Sequence, residues 1–390
     1  MRVLFFGSDT FSIRALNVLR KNNKGYTFDI VTPEIKKYGR NLDKLSIPSI
    51  HTYCEHYELP FATEIDSKVR NKINNCDYDL CCVVSYDALI PNEILSKIPY
   101  SLNIHPSLLP KYKGSSPLQY TLLNQDDECG VTLQNLDPFR FDAGRIVTQT
   151  MPLKVEDVLA KNLTKLRYMF EGKVKTCAMQ RQNADLSFLS IPAENRLYGD
   201  VFNVFKNEMG NIGSSLFHEY LNQEMFHTNV YVESKYKKSW ARKLQKNVAQ
   251  INWEKFTRST ILNNFGILKK LYTFKKQYLN KSKKQNFVHS DKTSSFQLKR
   301  VILSSLKEFN NPSKIPEALR QAPPGSFAPY DDEILGPRLL IKCLNDEYLV
   351  CEELQFESFQ VEPAKKWIRN LNKRCNNKET LRNSSEMRFE

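Results

Sequence analysis

Glycine is scarce in this sequence, and its glycines never have the spacing that binds a dinucleotide. Only 13 of the 390 residues are glycine, and no Gly-x-Gly-x-x-Gly occurs. That loop brings a pyrophosphate against a helix N-terminus, so its absence argues against a dinucleotide cofactor. Apolar runs are short as well, and none reaches the roughly 18 residues that a membrane-spanning helix needs. We therefore expect no membrane partner.

Cysteines are present, but their spacing does not match that of a metal site. The nine cysteines are odd in number and scattered, and no Cys-x-x-Cys occurs. This usage is typical of a reducing compartment and argues against a zinc site. Cys81 and Cys82 lie in an apolar run and are expected to be core residues. The sequence therefore predicts no metal.

Acidic residues are nearly absent from one long window of the chain. Residues 235–300 contain 18 lysines and arginines but only two acids, so this basic window carries +16 and the rest carries −2, within a total of +14. Aromatic residues are interleaved with the lysines, as in surfaces that contact nucleic acid. A solvated lysine-rich face is the alternative. The length of the chain predicts two domains.

The most informative stretch is a strand that ends in two polar side chains. Asn103 and His105 are two positions apart, so both leave the same face of the strand. Pro106, Pro110 and Gly114 then direct the chain into a shaped loop. An amide can stabilise an oxyanion, and an imidazole can transfer protons near neutral pH. This pair suits acyl-transfer chemistry.

Asp142 is the candidate for a third group that orients the imidazole. Ala143 and Gly144 follow it and allow the loop to fold back over the site. Each of the three polar residues also has an ordinary structural explanation: Asn103 can cap a turn, His105 can be a satisfied core histidine, and Asp142 can be a solvated turn acid. The combination favours a catalytic site.

These residues carry a resemblance to a known family. The stretch from Asn103 to Gly114, followed by Asp142-Ala-Gly, resembles the signature of the folate-dependent formyltransferases. Further matches resemble the methionyl-tRNA formyltransferases within that family: Val3–Phe11, Val83–Pro91, Pro117-Leu-Gln, Trp240-Ala-Arg-Lys-Leu and Ile251-Asn-Trp253. The matches are close over residues 1–155, patchy over 236–268 and 323–371, and absent between and after.

The resemblance implies a reaction and roles for particular residues. It implies transfer of the formyl group of 10-formyltetrahydrofolate to the α-amino group of charged initiator methionyl-tRNA. His105 would act as general base or proton relay, Asn103 would stabilise the oxyanion, and Asp142 would orient His105 and a water. The backbone of five residues would cradle the pterin ring of the folate: Ser85, Tyr86, Asp87, Ala88 and Leu89. Asp87 stands where many relatives have glycine.

The tRNA is expected to contact two basic regions. In the resembled enzymes a loop after residue 33 reaches toward the acceptor end of the tRNA, and Arg40 falls where they carry an arginine. An ordinary basic surface loop is the alternative. The basic window supplies further candidates for phosphate contact: Lys269, Lys270, Lys275, Lys276, Lys283 and Lys284.

The element pattern predicts an α/β protein with a Rossmann-like, doubly wound N-terminal domain and a smaller β-barrel like those that bind oligonucleotides. Helices are predicted at 157–171, 173–180, 253–268 and 364–371, with another near 214–222. The domain boundaries follow: a catalytic domain at 1–185, a linker at 186–234, the barrel at 235–372 with a lysine-rich insertion near 269–294, and a polar, disordered tail at 373–390.

Other functions remain open at this point. A formyltransferase for a small acceptor, such as glycinamide ribonucleotide or a nucleotide sugar, shares the same three residues. A non-catalytic RNA-binding relative is a second alternative, although intact Asn103, His105 and Asp142 argue against it. A strand already begins at Val3, so no targeting leader is visible. The lysine- and asparagine-rich composition looks eukaryotic, and formylated initiator tRNA in a eukaryotic cell implies a mitochondrion or a plastid. Of these two we expect the mitochondrial matrix. We expect a monomer.

Overall fold

The structure is a computed structural model that describes residues 1–21, 25–38, 42–161, 163, 165–170, 173–179, 201–224, 231–278, 296–332, 336–377 and 387–390. The described residues fall into two units, the first ending at Leu244 and the second beginning at Gln245. The predicted tRNA contacts Arg40, Lys283 and Lys284 lie outside the described residues.

A mixed nine-stranded sheet forms the centre of the first unit. Its strands are β1 (Arg2–Gly7), β2 (Thr27–Val31), β5 (Phe61–Ala62), β6 (Leu80–Val84), β7 (Tyr100–His105), β9 (Thr132–Gln134), β10 (Ile146–Thr150), β12 (Lys165–Phe170) and β13 (Lys173–Ala178). The order is β13-β12-β10-β9-β7-β6-β1-β2-β5. Two small antiparallel sheets of two strands each complete the unit: β3 (Lys36–Tyr38) with β4 (Lys44–Ser46), and β8 (Glu128–Cys129) with β11 (Leu153–Lys154).

The sheet changes direction at β7. Strands β5, β2, β1, β6 and β7 are parallel, whereas β9, β10, β12 and β13 continue the sheet as antiparallel neighbours. The whole of β6 is buried, as expected for a strand covered on both faces, and Cys81 and Cys82 are core residues as predicted. Burial raises the pKa of the Cys81 thiol. Helices cover the sheet: α1 (Thr10–Lys21), α2 (Ser49–His56), α3 (Ser67–Asn74), α4 (Asn92–Leu95), α5 (Pro117–Leu123), α6 (Val155–Leu159) and α7 (Val201–Asn222).

The helices predicted at 157–171 and 173–180 are wrong. Among the described residues of these two ranges, only the end of α6 is helical, and residues 165–170 and 173–178 form the hairpin of β12 and β13. Leu166 and Tyr168 are buried while their neighbours are not, which is the period of a strand. Their pairing with β10 is a long-range contact that overrides local propensity.

The predicted linker contains a 22-residue helix, α7, that belongs to the first unit. Its buried side chains include Phe205, Met209, Ile212 and Leu216, which recur at helical spacing. It packs on α1 and on the back of β7, where a Cβ at Gly213 would lie 3.2 Å from Ile104. The helix is therefore part of the support of the strand that carries Asn103 and His105.

The second unit contains two four-stranded antiparallel sheets around a common core. One has the order β14 (Leu271–Tyr278), β15 (Phe296–Leu303), β20 (Glu353–Phe356), β21 (Glu362–Pro363), and the other β16 (Leu306–Phe309), β19 (Tyr348–Cys351), β18 (Gly336–Lys342), β17 (Phe327–Asp332). Its helices are α8 (Arg258–Leu268), α9 (Glu317–Arg320), α10 (Ala364–Arg369) and α11 (Leu371–Cys375). Short 3₁₀ turns lie at Lys246–Ala249, Pro312–Lys314 and Leu344–Asp346. The predicted fold class, an α/β unit followed by a smaller antiparallel β unit, is confirmed.

Two predictions for this unit are corrected. The end of the chain is not a disordered tail over its whole length, because Phe389 is fully buried and stacks on Trp253 with ring centroids 6.1 Å apart. Lys275 is only 1% exposed, since it shares the inward face of β14 with Leu271 and Thr273. A lysine in that position cannot contact a phosphate backbone.

Candidate active site

Strand register brings four polar side chains together at the change in sheet direction. In the antiparallel pair of β7 and β9, Asn103 lies opposite Gln134 and His105 lies opposite Thr132. Cross-strand neighbours of this kind lie on the same face of the sheet and are close enough to interact. Gln134 Nε2 donates to Oδ1 of Asn103 at 3.4 Å, and Asn103 Nδ2 donates to the carbonyl of Val83 at 3.2 Å.

Asp142 joins this group from the loop between β9 and β10, as predicted. One carboxylate oxygen, Oδ1, accepts from Gln134 Nε2 at 2.9 Å, and the other, Oδ2, accepts from the backbone N–H of Gly114 at 2.7 Å. Asp142 itself has a positive φ of 51°. Gly144 lets the loop pass against β9, because a Cβ there would lie 1.6 Å from the carbonyl oxygen of Asn135.

His105 is buried behind Asp142, with both ring nitrogens engaged. Nδ1 lies 3.3 Å from Asp142 Oδ1, and Nε2 lies 2.9 Å from the carbonyl oxygen of Tyr112. A carbonyl oxygen only accepts hydrogen bonds, so Nε2 is the ring nitrogen that donates, and Nδ1 faces the Asp142 carboxylate. In this arrangement the carboxylate is the member of the pair that a substrate can reach.

A segment from far along the chain braces the loop that holds both groups. Ser239 Oγ accepts from the N–H of Tyr112 at 2.9 Å, and the N–H of Lys113 donates to the carbonyl of Ser239. The N–H of Ala241 donates in turn to the carbonyl of Lys113 at 2.7 Å. Gly114, with φ of 117°, lies so close to Ala241 that a Cβ would approach its carbonyl oxygen to 2.7 Å. The predicted start of the second domain thus belongs to the catalytic unit.

Two openings share this polar group. The first opening, which we call the apolar cleft, has a volume of about 40 Å³. It is lined by Val83, Tyr86, Ala88, Leu89, Ile90, Asn103, Gln134, Asn135, Leu136, Asp137, Arg140, Phe141 and Asp142. The second opening, which we call the polar cavity, has a volume of about 310 Å³. It is lined by Leu109, Pro110, Lys113, Gln134, Asp142, Gly144, Ile146, Glu233 and Ser234. Gln134 and Asp142 therefore form the wall between the two.

The segment predicted to hold a pterin only partly lines the apolar cleft. Tyr86, Ala88 and Leu89 line it, whereas Ser85 and Asp87 do not. The carbonyl of Ser85 accepts a hydrogen bond from the Ser8 hydroxyl. The side chain of Asp87 is 76% exposed, and its carboxylate lies 3.8 Å from Lys36. An aspartate at this position therefore leaves the cleft open.

The polar cavity has an unusual cation at its rim. Burial lowers the pKa of Lys113, and the neighbouring Lys238 lowers it further. Trp240, which pairs with Lys113 along the backbone, is 49% exposed and has the ammonium of Lys238 5.2 Å from its ring centroid.

A larger cavity of about 470 Å³ lies in the second unit, but its main cation is already paired. The Arg258 guanidinium lies 2.6 Å from Glu308 and 3.3 Å from Glu347. Of the described lysines predicted to contact tRNA, Lys270 is exposed, Lys269 ends α8 in a left-handed conformation, and Lys276 lies 2.8 Å from a Glu390 carboxylate oxygen.

Within the described ranges, no three His, Cys, Asp or Glu side chains are grouped closely enough to hold a metal ion. The helices of that part of the chain are all too short or too polar to cross a membrane.

Known proteins have sequences similar to that of this chain. The formyl transferase family matches residues 1–169. A mitochondrial methionyl-tRNA formyltransferase of Saccharomyces cerevisiae is 31% identical to the chain over 405 aligned residues, covering 96% of this chain and 90% of that protein. The chain belongs to the methionyl-tRNA formyltransferase family.

Other members of the family match a smaller part of the chain. The mitochondrial methionyl-tRNA formyltransferase of Bos taurus is 32% identical over 164 residues, which is 39% of this chain and 38% of that protein. Among solved structures, an N-formyltransferase of Helicobacter canadensis in complex with folinic acid and dTDP-3-aminofucose has a TM-score of 0.46 and 16% identity, and the match covers 90% of this chain and 98% of that chain.

Proposed function

We propose that this protein transfers the formyl group of 10-formyltetrahydrofolate to the α-amino group of charged initiator methionyl-tRNA. The observation that carries the proposal is the hydrogen-bonded group of Asn103, Gln134 and Asp142 between two openings, in a chain that aligns with a methionyl-tRNA formyltransferase over 96% of its length.

The apolar cleft suits the folate donor. A pterin needs an apolar slot with hydrogen-bonding groups along one edge, and the cleft combines Val83, Leu89 and Ile90 with the amide of Asn103. Asn103 has two amide hydrogens, and only one is used by Val83. The second can hold the formyl oxygen as it gains negative charge.

The polar cavity suits the acceptor amine, and Asp142 can manage its proton. The amine nitrogen attacks the formyl carbon, and the carbon–N10 bond of the folate then breaks. One proton must leave the amine and one must reach N10, so the reaction needs a group that accepts a proton and returns it. The Asp142 carboxylate faces both openings, and His105 stabilises it from behind.

The basic window is proposed to bind the tRNA, together with the loop that contains Arg40. Exposed Lys270 remains a candidate for a phosphate contact, whereas buried Lys275 does not. Because relatives named as mitochondrial match the chain, we also propose a mitochondrial matrix location. The reaction as written requires no metal, and a single chain carries all the groups used in it, so a monomer suffices.

A parallel assay tests the substrate. Labelled 10-formyltetrahydrofolate is offered with charged initiator tRNA, charged elongator tRNA, glycinamide ribonucleotide or a nucleotide amino sugar. We expect formyl transfer to methionine on initiator tRNA and at least tenfold less to the small acceptors. Preference for a small acceptor would replace the proposed function with that reaction. Absence of transfer to any acceptor, with intact folding, would favour a non-catalytic RNA-binding protein.

A further inference from the structure

Gln134 contacts both of the groups to which chemistry is assigned, yet its sequence position gave no sign of this. Its side chain is buried, at 2% exposure, and its amide nitrogen donates to Asp142 at 2.9 Å and to Asn103 at 3.4 Å. It also lines both the apolar cleft and the polar cavity. We propose that Gln134 is a positioning residue that fixes the orientation of the Asn103 amide and the Asp142 carboxylate for formyl transfer, a role that rests on the function proposed above.

The orientation of all three side chains follows from hydrogen-bond chemistry. A carboxylate only accepts, so the atom of Gln134 that faces Asp142 must be the NH₂ group. The carbonyl of Val83 only accepts as well, so the NH₂ group of Asn103 faces Val83 and its oxygen faces Gln134. By occupying that oxygen, Gln134 prevents the Asn103 amide from turning over. The remaining Asn103 hydrogen is then available to an oxyanion.

The other end of Gln134 points to function rather than stability. Among the described residues, no donor lies within hydrogen-bond distance of its buried Oε1 atom. A buried carbonyl without a partner destabilises a fold, whereas an apolar side chain of the same size would avoid that cost. A glutamine selected for stability would be satisfied at both ends. The neighbouring Gln149 on β10 shows a different pattern, since its Nε2 donates to Leu109 and Thr132 and it lines neither opening.

Gln134→Met tests positioning with a side chain of similar length. We expect kcat to fall about tenfold or more, because a displaced catalytic group loses its near-attack geometry. The KM for each substrate should stay within about threefold, since Gln134 is not the main binding contact. Removal of the orphan carbonyl offsets part of the loss of the hydrogen bonds to Asp142 and Asn103, so the melting temperature should fall less than in the control variant below. Gln149→Met is the matched control for a purely structural glutamine, and it should lower the melting temperature.

Gln134→Glu should change the pH dependence of activity, which a purely structural role of Gln134 would leave unchanged. The titratable groups around this position are Asp142, His105, Lys113, Asp137, Arg140 and Glu233. A second carboxyl beside Asp142 has a raised pKa, because two like charges cannot both ionise easily at this distance. While protonated, it donates one hydrogen bond to Asp142 as glutamine does. Activity of Gln134→Glu should therefore be greatest at low pH and fall as the pH rises through that pKa, whereas Gln134→Met stays low throughout.

Two results would overturn the proposal. One is wild-type kcat in Gln134→Met. The other is a Gln134→Glu protein with the wild-type pH profile. If the wild-type protein does not formylate methionyl-tRNA, the proposed function fails separately, and thermal unfolding then decides about Gln134. The stability added by the protonated carboxyl is present at low pH and is lost as pH rises through the folded pKa. Gln134→Glu should thus melt at a lower temperature at pH 8 than at pH 5, relative to wild type, and equal melting would reject the contact.

Discussion

At the scale of single residues, the pair of Asp142 and His105 gives the sharpest prediction. Asp142→Asn keeps the size of the side chain but cannot accept a proton, so turnover should fall about 10²-fold or more. Affinity for tRNA should change little, because Asp142 is not among the residues proposed to contact phosphate. Single-turnover formylation and tRNA filter binding measure the two effects. Asp77→Asn, which alters an exposed ion pair with Arg2, serves as the control and should keep full activity.

His105 offers an independent check on the same pair. His105→Gln can still donate to the Tyr112 carbonyl from the position of Nε2 but no longer places a ring nitrogen beside the Asp142 carboxylate, so it should show a similar loss of kcat. Full activity in His105→Gln would mean that Asp142 works without the imidazole. The proton path proposed above would then be wrong.

The sequence was informative about this pair and silent about Gln134, for a physical reason. Asn103, His105 and Asp142 could be found because two of them share a strand face and the third begins a loop with glycine. The position of Gln134 depends on which residue of β9 lies opposite Asn103. That register is set by a tertiary contact between strands that no local pattern encodes. Lys275 was misassigned because charge was read without the alternation of Leu271, Thr273 and Lys275 along β14.

At the scale of elements, the loop that carries Asp142 depends on a glycine. Gly144→Ala would place a Cβ 1.6 Å from the backbone oxygen of Asn135, so the loop must move and Asp142 with it. We expect at least a tenfold loss of activity together with a lower melting temperature. Gly25→Ala is the control, because Gly25 has a φ of 66° with nothing within 4 Å of the added Cβ. Backbone strain alone should cost it about 1–2 kcal/mol of stability and no activity.

Strands that are buried on both faces of the sheet could be predicted from the sequence. Elements whose packing partners are distant in sequence could not. The parallel strands could be recognised from their continuous apolar runs. The hairpin of β12 and β13 was predicted as helix, and only the second half of α7, near 214–222, was predicted as a helix within a linker. Gly210 and Gly213 lower the helix propensity of α7, but they also allow close packing on Arg14 and Ile104. Its stability comes from that packing, which cannot be read from the helix alone.

At the scale of the whole molecule, charge-reversal variants can distinguish tRNA binding from the chemical step. Reversing Lys283 and Lys284 to Glu should weaken tRNA binding. It should also reduce the slope of log K against log [salt] by about one for each lost phosphate contact. Chemistry on saturating tRNA should be unchanged. Reversing Lys365 and Lys366, which are exposed on α10, gives a protein of the same net charge as a control. Equal losses of tRNA affinity in the two charge-reversed proteins, measured by salt titration, would show that the effect comes from overall charge alone.

The brace between Tyr112 and Ser239 also has a consequence for biosynthesis. These two residues are 127 positions apart, and the hydrogen bond between them helps to hold the loop whose backbone contacts His105 and Asp142. A ribosome adds residues in order, so the nine-stranded sheet and α7 are already synthesised when Ser239 is added. Until then, the loop has its strand anchors but lacks its brace. The nascent chain therefore completes the sheet before it completes the brace of the active-site loop, and the second unit is synthesised after both.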